Sequence, residues 1–245
     1  MLNSFVSYRI IPFLTGERNA PNVNIFNLNY LNWRNLKKSA LASVPYINGV
    51  CADIGSGNSP YKQYFIANAK EYINIDNTKV NSAAFHASES FLEGDLRNLP
   101  LENASCDTVI LTQVLEHVDD TQKSISEVSR VLKSSGTLIV SVPFIYQEHI
   151  SPFDYYRFSE NGLRYILKDY DIVEFHRHGY FGSAIMSQIN GFLWILVSKN
   201  KTFRNFIALP FLLTVFAVNN IFGILLDFIK LKEFTPNFWV IAKKR

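Results

Sequence analysis

Cysteine is almost absent from this chain: Cys51 and Cys106 are the only two in 245 residues. They stand far apart and without metal-ligand spacing, which excludes a disulfide framework and a cysteine-based zinc site. Each lies beside or inside an apolar run, as a buried free thiol does, and that usage fits a reducing compartment. A surplus of charge is also lacking. With 24 Lys and Arg against 21 Asp and Glu, the net charge is +3, and no basic stripe alternates with aromatics, so nucleic acid is not an expected partner. The opening "MLNSFVSYRIIPFLTGERN" has only a short apolar run, broken by Arg9, and no small-residue cleavage site; it does not read as a secretory signal. There is no internal repeat and no low-complexity tract. One long stretch lacks charge, residues 206–229, "FIALPFLLTVFAVNNIFGILLDFI", with Asp227 its single exception.

What is present between residues 50 and 143 is an alternation of short apolar runs with helix-like segments. Runs at Val50–Ile54, Glu71–Asp76, 90–95, 108–112 and 136–143 read as strands. "YKQYF" and "DDTQKSISEVSRVLK" read as helices, the second with Ile125, Val128, Val131 and Leu132 on one face and Asp119 and Asp120 near its start. "SENGLRYILKDY" reads as a helix capped by Ser159, "DIVEFHRHG" as a sixth strand, and 238–242 as a seventh. This alternation predicts an open α/β sheet, whose ligands sit outside the carboxyl ends of the strands near the switch in strand order. Asp53, Asp76, Asp95 and Gln113 all fall at or near those ends. "NLNYLNWRNLKKSALASV", ahead of the first strand, predicts a helix on the sheet or over the site.

The first strand empties into "VCADIGSGNSPY", a turn with little side chain that lets a ligand approach the backbone. A dinucleotide fingerprint, G-x-G-x-x-G/A, would need a small residue where Pro60 stands, and a diphosphate is disfavoured by an acid such as Asp53. A cofactor carrying a sulfonium and an ammonium is compatible with that acid. With "INIDN", "EGDLRNLPLENASCDTVILTQVLEHV" and "EVSRVLKSSGTLIVSVP" following in order, the chain resembles the class I S-adenosylmethionine-dependent methyltransferases over residues 42–168 and its closing strand. The resemblance implies a Rossmann-like fold, a seven-stranded, mostly parallel sheet with an antiparallel last strand, and S-adenosyl-L-methionine as cofactor. It places Asp53, Gly55 and Gly57 at the methionine end and Asp76 at the ribose hydroxyls. It sets Asp95 at the adenine amino group, the Leu96 backbone beside the ring, and Gln113 near the methionine moiety. His117, in the "LEH" step, is expected to position its loop.

Methyl transfer needs donor and acceptor aligned, and sometimes a proton removed. The acceptor side is expected in "PFIYQEHISPFDYYRFSENGLRYIL" after the fifth strand, where His149, Asp154, Tyr155, Tyr156 and Arg157 crowd together. Its H-x-x-P-x-D-Y-x-R pattern is similar to a subset associated with bacterial surface polysaccharide and lipopolysaccharide synthesis. That implies a glycan or lipid-linked sugar acceptor, with His149 as base and Tyr155 and Tyr156 as the other catalytic candidates. In the competing reading Asp154 and Arg157 merely hold the loop. A quinone-like or other small lipid acceptor, or a non-catalytic cofactor-binding scaffold subunit, are the alternatives. The Asn/Asp-Pro-Pro-Tyr step of amino methylation is replaced here by "TQVLEH", and no metal cluster is expected.

Four parts are therefore predicted: an N-terminal helical segment (1–45), the methyltransferase core (46–182), a hydrophobic helical hairpin (183–232) and a closing strand (233–245). In the hairpin, about sixteen residues of the first segment reach only about 24 Å, short of a ~30 Å hydrocarbon core, and Pro210 and Asn219-Asn220 disfavour the lipid centre. The expectation is a hairpin lying in the membrane surface on the cytoplasmic face, with Lys199, Lys201, Arg204, Lys230 and Lys232 at its ends. A homodimer interface or additional core is the alternative.

Overall fold

Strand β1 (Val50–Ile54) is buried on both faces apart from its first residue, as the centre of a parallel sheet requires. The computed structural model, which describes residues 23–77, 91–199 and 208–245, pairs it in parallel with β2 (Glu71–Asp76) on one side and with β4 (Cys106–Thr112) on the other. Beyond β2 lies β3 (Leu92–Glu93), only two residues long; beyond β4 comes β5 (Leu132–Pro143). With β6 (Tyr170–His178) and β7 (Asn237–Lys244), the order across the sheet is β3-β2-β1-β4-β5-β7-β6. It is mostly parallel, with antiparallel pairing among the last strands. Strand order reverses between β1 and β4, so the crevice at their carboxyl ends is where such a sheet receives a ligand.

The helices form where their signals stand. Helix α1 (Tyr30–Ser43) precedes the sheet, and α2 (Lys62–Phe65) follows the glycine turn. Helix α3 (Thr121–Val131) is capped by Asp120, whose carboxylate accepts the Lys123 N–H at 3.0 Å. Its buried face is Ser124, Ile125, Val128 and Val131; Leu132, expected on that helix, already begins β5. Helix α4 (Glu160–Ile166) is capped by Ser159, which accepts the Gly162 N–H at 3.2 Å. Both pack into one core with Ala52, Val109, Leu138 and Val240 of the strands. Cys51 and Cys106 are free and fully buried, and burial raises the pKa of both thiols, which makes them inert.

The described chain divides into two compact units. One contains Ser39–Phe144, Glu148–His176 and Phe238–Arg245; the other contains the described residues up to Lys38, Ile145–Gln147 and Arg177–Asn237. The second holds a hairpin of α5 (Phe181–Ser198) and α6 (Leu209–Leu226), each 18 residues long. At about 1.5 Å per residue α5 reaches about 27 Å, a little more than the about 24 Å expected of Ser183–Ser198. Helix α5 begins at Phe181, two residues earlier than the apolar pattern suggests, because a cap reaches it from the end of the hairpin. Asp227 accepts the Tyr180 N–H at 3.0 Å, the Ser183 N–H at 2.8 Å and the Ser183 hydroxyl at 2.5 Å. The helices approach closely at Gly182, where a Cβ would lie 2.2 Å from the Gly223 carbonyl.

Asn190 and the pair Asn219-Asn220 form a polar seam. The Asn219 amide donates to the Asn190 carbonyl oxygen at 2.9 Å, and the Asn190 amide donates to Asn220 at 3.2 Å. The Asn220 amide also donates to the carbonyls of Ile25 and Asn27, at 2.7 and 2.9 Å. These amides therefore fasten an irregular segment across the middle of the hairpin. Lys201, Arg204 and the start of the 206–229 run lie outside the described residues. Asp227→Ala removes an anionic acceptor from three donors and is expected to destabilise the fold by about 1–3 kcal/mol, read as a lower urea midpoint; an unchanged midpoint would show that Asp227 does not hold the hairpin.

Candidate active site

The turn after β1 is shaped by contacts that exclude side chains. Gly55 has φ +67°, and a Cβ there would meet the Val114 methyls at 2.5 and 2.8 Å, so glycine is required twice over. The Gly55 and Ser56 N–H groups both donate to the Ile75 carbonyl, at 2.8 and 3.1 Å. The Gly57 N–H then donates to Asp76 Oδ2 at 2.6 Å, while the Asn77 N–H donates to Oδ1 at 2.7 Å. Burial raises the Asp76 pKa, and these two N–H bonds hold it down in part. Each oxygen keeps a lone pair for a further donor.

A cavity of about 480 Å³ opens above this turn, walled by Ile54, Gly55, Asp76, Asn77, 93–97, Val114, His117, Val118, Asp119, Phe153 and Tyr155. Its far wall carries Asp95, clasped by Arg97: Nε donates to Oδ1 at 2.9 Å, Nη2 to Oδ2 at 2.6 Å, and the Arg97 N–H to Oδ1 at 2.9 Å. The guanidinium lowers the Asp95 pKa, keeping it an acceptor. Arg97 Nη1 also donates to Asp119 Oδ1 at 2.6 Å, linking the loops after β3 and β4. Arg97 did not stand out in the sequence; its only signal is its place two residues after the "GD" step.

Of the expected cofactor residues, the cavity gathers Gly55, Asp76, Asp95 and Leu96. Asp53, Gly57 and Gln113 are not in its wall. Gly57 acts behind it, through Asp76. Gln113, at φ +57°, turns its amide to the Ser141 hydroxyl at 3.1 Å. Asp53 is 4% exposed and accepts the Tyr72 hydroxyl at 2.8 Å. Burial pushes its pKa up to about 7, the Tyr72 bond lowering it, the Asp76 charge raising it and Lys62 lowering it further.

On the acceptor side, Tyr155 lines the cavity and Tyr156 lies beside it, its hydroxyl donating to the Asp119 carbonyl at 2.7 Å. The Tyr155 and Tyr156 N–H groups both donate to the Glu116 carbonyl, at 2.8 and 3.3 Å, stitching the loop after β5 to the "LEH" step. Asp154 is the loop's hub. It receives Arg157 Nη1 at 2.6 Å, Nη2 at 2.7 Å and the His149 N–H at 2.7 Å, and its pKa is strongly lowered, chiefly by Arg157. His149 Nδ1 lies 3.3 Å from the same carboxylate. The His149 ring meets His117 edge-on, with centroids 4.8 Å apart. His117, and not His149, is in the cavity wall. Its Nδ1 donates to the Phe153 carbonyl at 2.6 Å, which leaves the lone pair on Nε2, and burial lowers its pKa. Beneath it, Glu116 is 0% exposed and, among the described residues, neither carboxylate oxygen meets a hydrogen-bond partner. Burial pushes Glu116 up to about 8, against smaller lowering effects from its own N–H and Arg157. Glu116, His117 and His149 thus converge where the sequence suggested no metal-ligating cluster.

The fold is that of class I methyltransferases. Residues 52–140 match the family described as a methyltransferase domain. Among curated relatives, "Probable S-adenosylmethionine-dependent methyltransferase Rv3030" of Mycobacterium tuberculosis is 29% identical over 131 residues, 53% of this chain and 48% of that protein. "Uncharacterized methyltransferase YcgJ" of Bacillus subtilis is 31% identical over 110 residues, 42% of this chain and 41% of that protein. This chain thus matches about half or less of the length of these relatives. A SAM-dependent methyltransferase structure from Archaeoglobus fulgidus superposes with TM-score 0.55 at 14% identity, covering 88% of this chain and 97% of that one. The residues present fit S-adenosyl-L-methionine: Asp76 and Asp95 offer carboxylate acceptors that suit its hydroxyl and amino donors, and Gly55 leaves the backbone open to a ligand.

Asp53 gives the site a pH signature. Its carboxyl titrates at 3.8 ordinarily and at about 7 in the fold. Between those values the fold retains a proton that the unfolded chain has released, so stability falls as pH rises, and above about 7 the whole cost of the buried anion is present. Asp53→Asn should therefore raise the thermal midpoint at pH 8, by roughly 5 °C or more given about 1.4 kcal/mol per pKa unit and about 2–4 °C per kcal/mol. The gain should vanish toward pH 4. A lower midpoint at pH 8 would contradict this.

Proposed function

We propose that this protein transfers the methyl group of S-adenosyl-L-methionine to an oxygen of a glycan or lipid-linked sugar. The observation that carries this reading is a single cavity with the cofactor acceptors Asp76 and Asp95 at one side and His117, Phe153 and Tyr155 at the other. The cofactor supplies an activated methyl group with its own leaving group; the protein's part is to hold the acceptor in line and help its hydroxyl lose a proton. An aromatic edge beside carboxylates suits a sugar, whose ring has an apolar face and a rim of hydroxyls. His149 serves this acceptor side through its contact with His117, with Tyr155 and Tyr156 flanking the entrance.

Incubation with S-adenosylmethionine and a cell-envelope extract should release S-adenosylhomocysteine, and the activity should follow the saccharide-bearing fraction. Activity following a saccharide-free lipid fraction would move the acceptor to a small lipid. No release from any fraction would mark a non-catalytic subunit. His149→Ala should lower turnover roughly 10²–10⁴-fold with S-adenosylhomocysteine affinity unchanged; a fall of less than about threefold would remove His149 from the chemistry.

The reading extends to the hairpin, which we place on the cytoplasmic membrane surface. Ile185, Ile189, Phe192 and Leu196 on α5, and Phe211, Val215, Val218, Phe222 and Leu225 on α6, repeat at helical spacing and are exposed, Phe211 to 73%. Lys199, Lys230 and Lys232, all exposed at the helix ends, suit anionic headgroups. Both helices are long and apolar enough to span a bilayer. However, the irregular segment bonded across their middle by Asn190 and Asn220 would then sit within hydrocarbon, where exposed irregular chain is not tolerated. Fractionation should find the protein with membranes and carbonate should release at least part of it. A detergent-free soluble dimer formed through α5 and α6 would overturn the membrane placement.

A further inference from the structure

Glu116 poses a problem that methyl transfer does not solve. A carboxyl group with no exposure and, among the described residues, no hydrogen-bond partner on either oxygen is costly, and buried charges in proteins are as a rule paired or bound to metals. Nothing in the cofactor half of the cavity uses it. Its Oε1 faces an imidazole instead: His117 Nε2 lies 3.9 Å away. One ligating atom from each of Glu116, His117 and His149 falls within 4.8 Å of the others.

We propose that Glu116, His117 and His149 bind one divalent transition-metal ion of the zinc class. Two imidazoles and a carboxylate are a donor set for zinc, cobalt, iron or manganese rather than for calcium or magnesium, which prefer all-oxygen shells. The outer contacts fit as well. Ligating histidines usually give their other ring nitrogen to a carbonyl or carboxylate. His117 Nδ1 donates to the Phe153 carbonyl at 2.6 Å; His149 Nδ1 stands 3.3 Å from Asp154 and 3.4 Å from Arg157 Nη2, and the tautomer with its proton on Nδ1 gives it to Asp154 and leaves Nε2 for the ion. Arg157, the nearby cation, is neutralised by its fork onto Asp154. Donors about 2.0–2.2 Å from one ion stand roughly 3–3.5 Å apart, so the three side chains must draw in by roughly 1 Å on loading.

Three protein ligands leave coordination positions open. His117 is in the cavity wall, so an acceptor hydroxyl can take one of those positions and have its pKa lowered by the ion. That consequence rests on the methyl-transfer reading; the binding of the ion does not.

The test is a cobalt(II) titration of the full-length, chelator-treated protein, followed by visible d–d absorption. One cobalt ion per chain should bind, and zinc should displace it. Glu116→Gln and His149→Ala should each weaken binding at least roughly tenfold, while His176→Ala, at an exposed imidazole paired with Glu174, should not. S-adenosylhomocysteine affinity, measured on the same samples, should be unchanged by the first two substitutions, which shows that the fold survives them. If the wild type binds cobalt but not S-adenosylhomocysteine, the metal site stands and the methyl-transfer reading falls. Absence of saturable cobalt binding, or binding indifferent to Glu116→Gln and His149→Ala, would overturn the metal site.

Discussion

The structure depends on one carbonyl. Ile75 O, at the end of β2, accepts both the Gly55 and Ser56 N–H groups, and so bends the chain leaving β1 across the end of its neighbour. That bend delivers the Gly57 N–H to Asp76 and keeps the space above Gly55 free of side chain. Gly94 N–H donates in turn to the Asp76 carbonyl at 2.9 Å, which sets the strand end from which Asp95 projects. The switch in strand order between β1 and β4 provides a crevice; these bonds give it chemistry.

Four buried or half-buried carboxylates in this unit show how environment assigns roles. Asp154 is held fully anionic by Arg157 and serves as the acceptor loop's anchor. Asp95 is likewise anionic, by virtue of Arg97, but remains at the cavity wall. Asp53 accepts one hydrogen bond among the described residues, from the Tyr72 hydroxyl, and burial pushes its pKa up to about 7. Glu116 has no hydrogen-bond partner on either carboxylate oxygen among the described residues. The progression runs from structural anchor to unmet demand, and unmet demand is where a ligand is to be sought.

The sheet was legible in the sequence because parallel strands need apolar residues on both faces and their ends carry recognisable residues: glycine after β1, Asp76 at the end of β2, the "GD" step after β3. The caps Asp120 and Ser159 were legible for the same local reason. What escaped was non-local. The cap of α5 comes from Asp227, 44 residues beyond Ser183, so the helix start could not be read from its own neighbourhood. Asn219 and Asn220 read as a bar to lipid, whereas the fold spends their amides on Asn190 and on backbone carbonyls. Glu116 and His149 lie on different loops, and their meeting depends on the Tyr155 N–H reaching the Glu116 carbonyl, a contact without any sequence signature. Asp53 and Gln113, expected at the methionine end by position, bond Tyr72 and Ser141 and do not line the cavity.

The most direct test of this account is a calorimetric titration of S-adenosylhomocysteine into wild type, Gly55→Ala and Asp76→Ala, with NAD as the comparison ligand. Wild type should show one saturable site and no comparable affinity for NAD. Asp76→Ala should weaken it several-fold to about a hundredfold, since hydrogen bonds to a charged acceptor contribute about 1.5–3 kcal/mol. Gly55→Ala should weaken it at least as much, because the added methyl meets Val114. No binding by the wild type, or tighter binding of NAD, would contradict the assignment of the site.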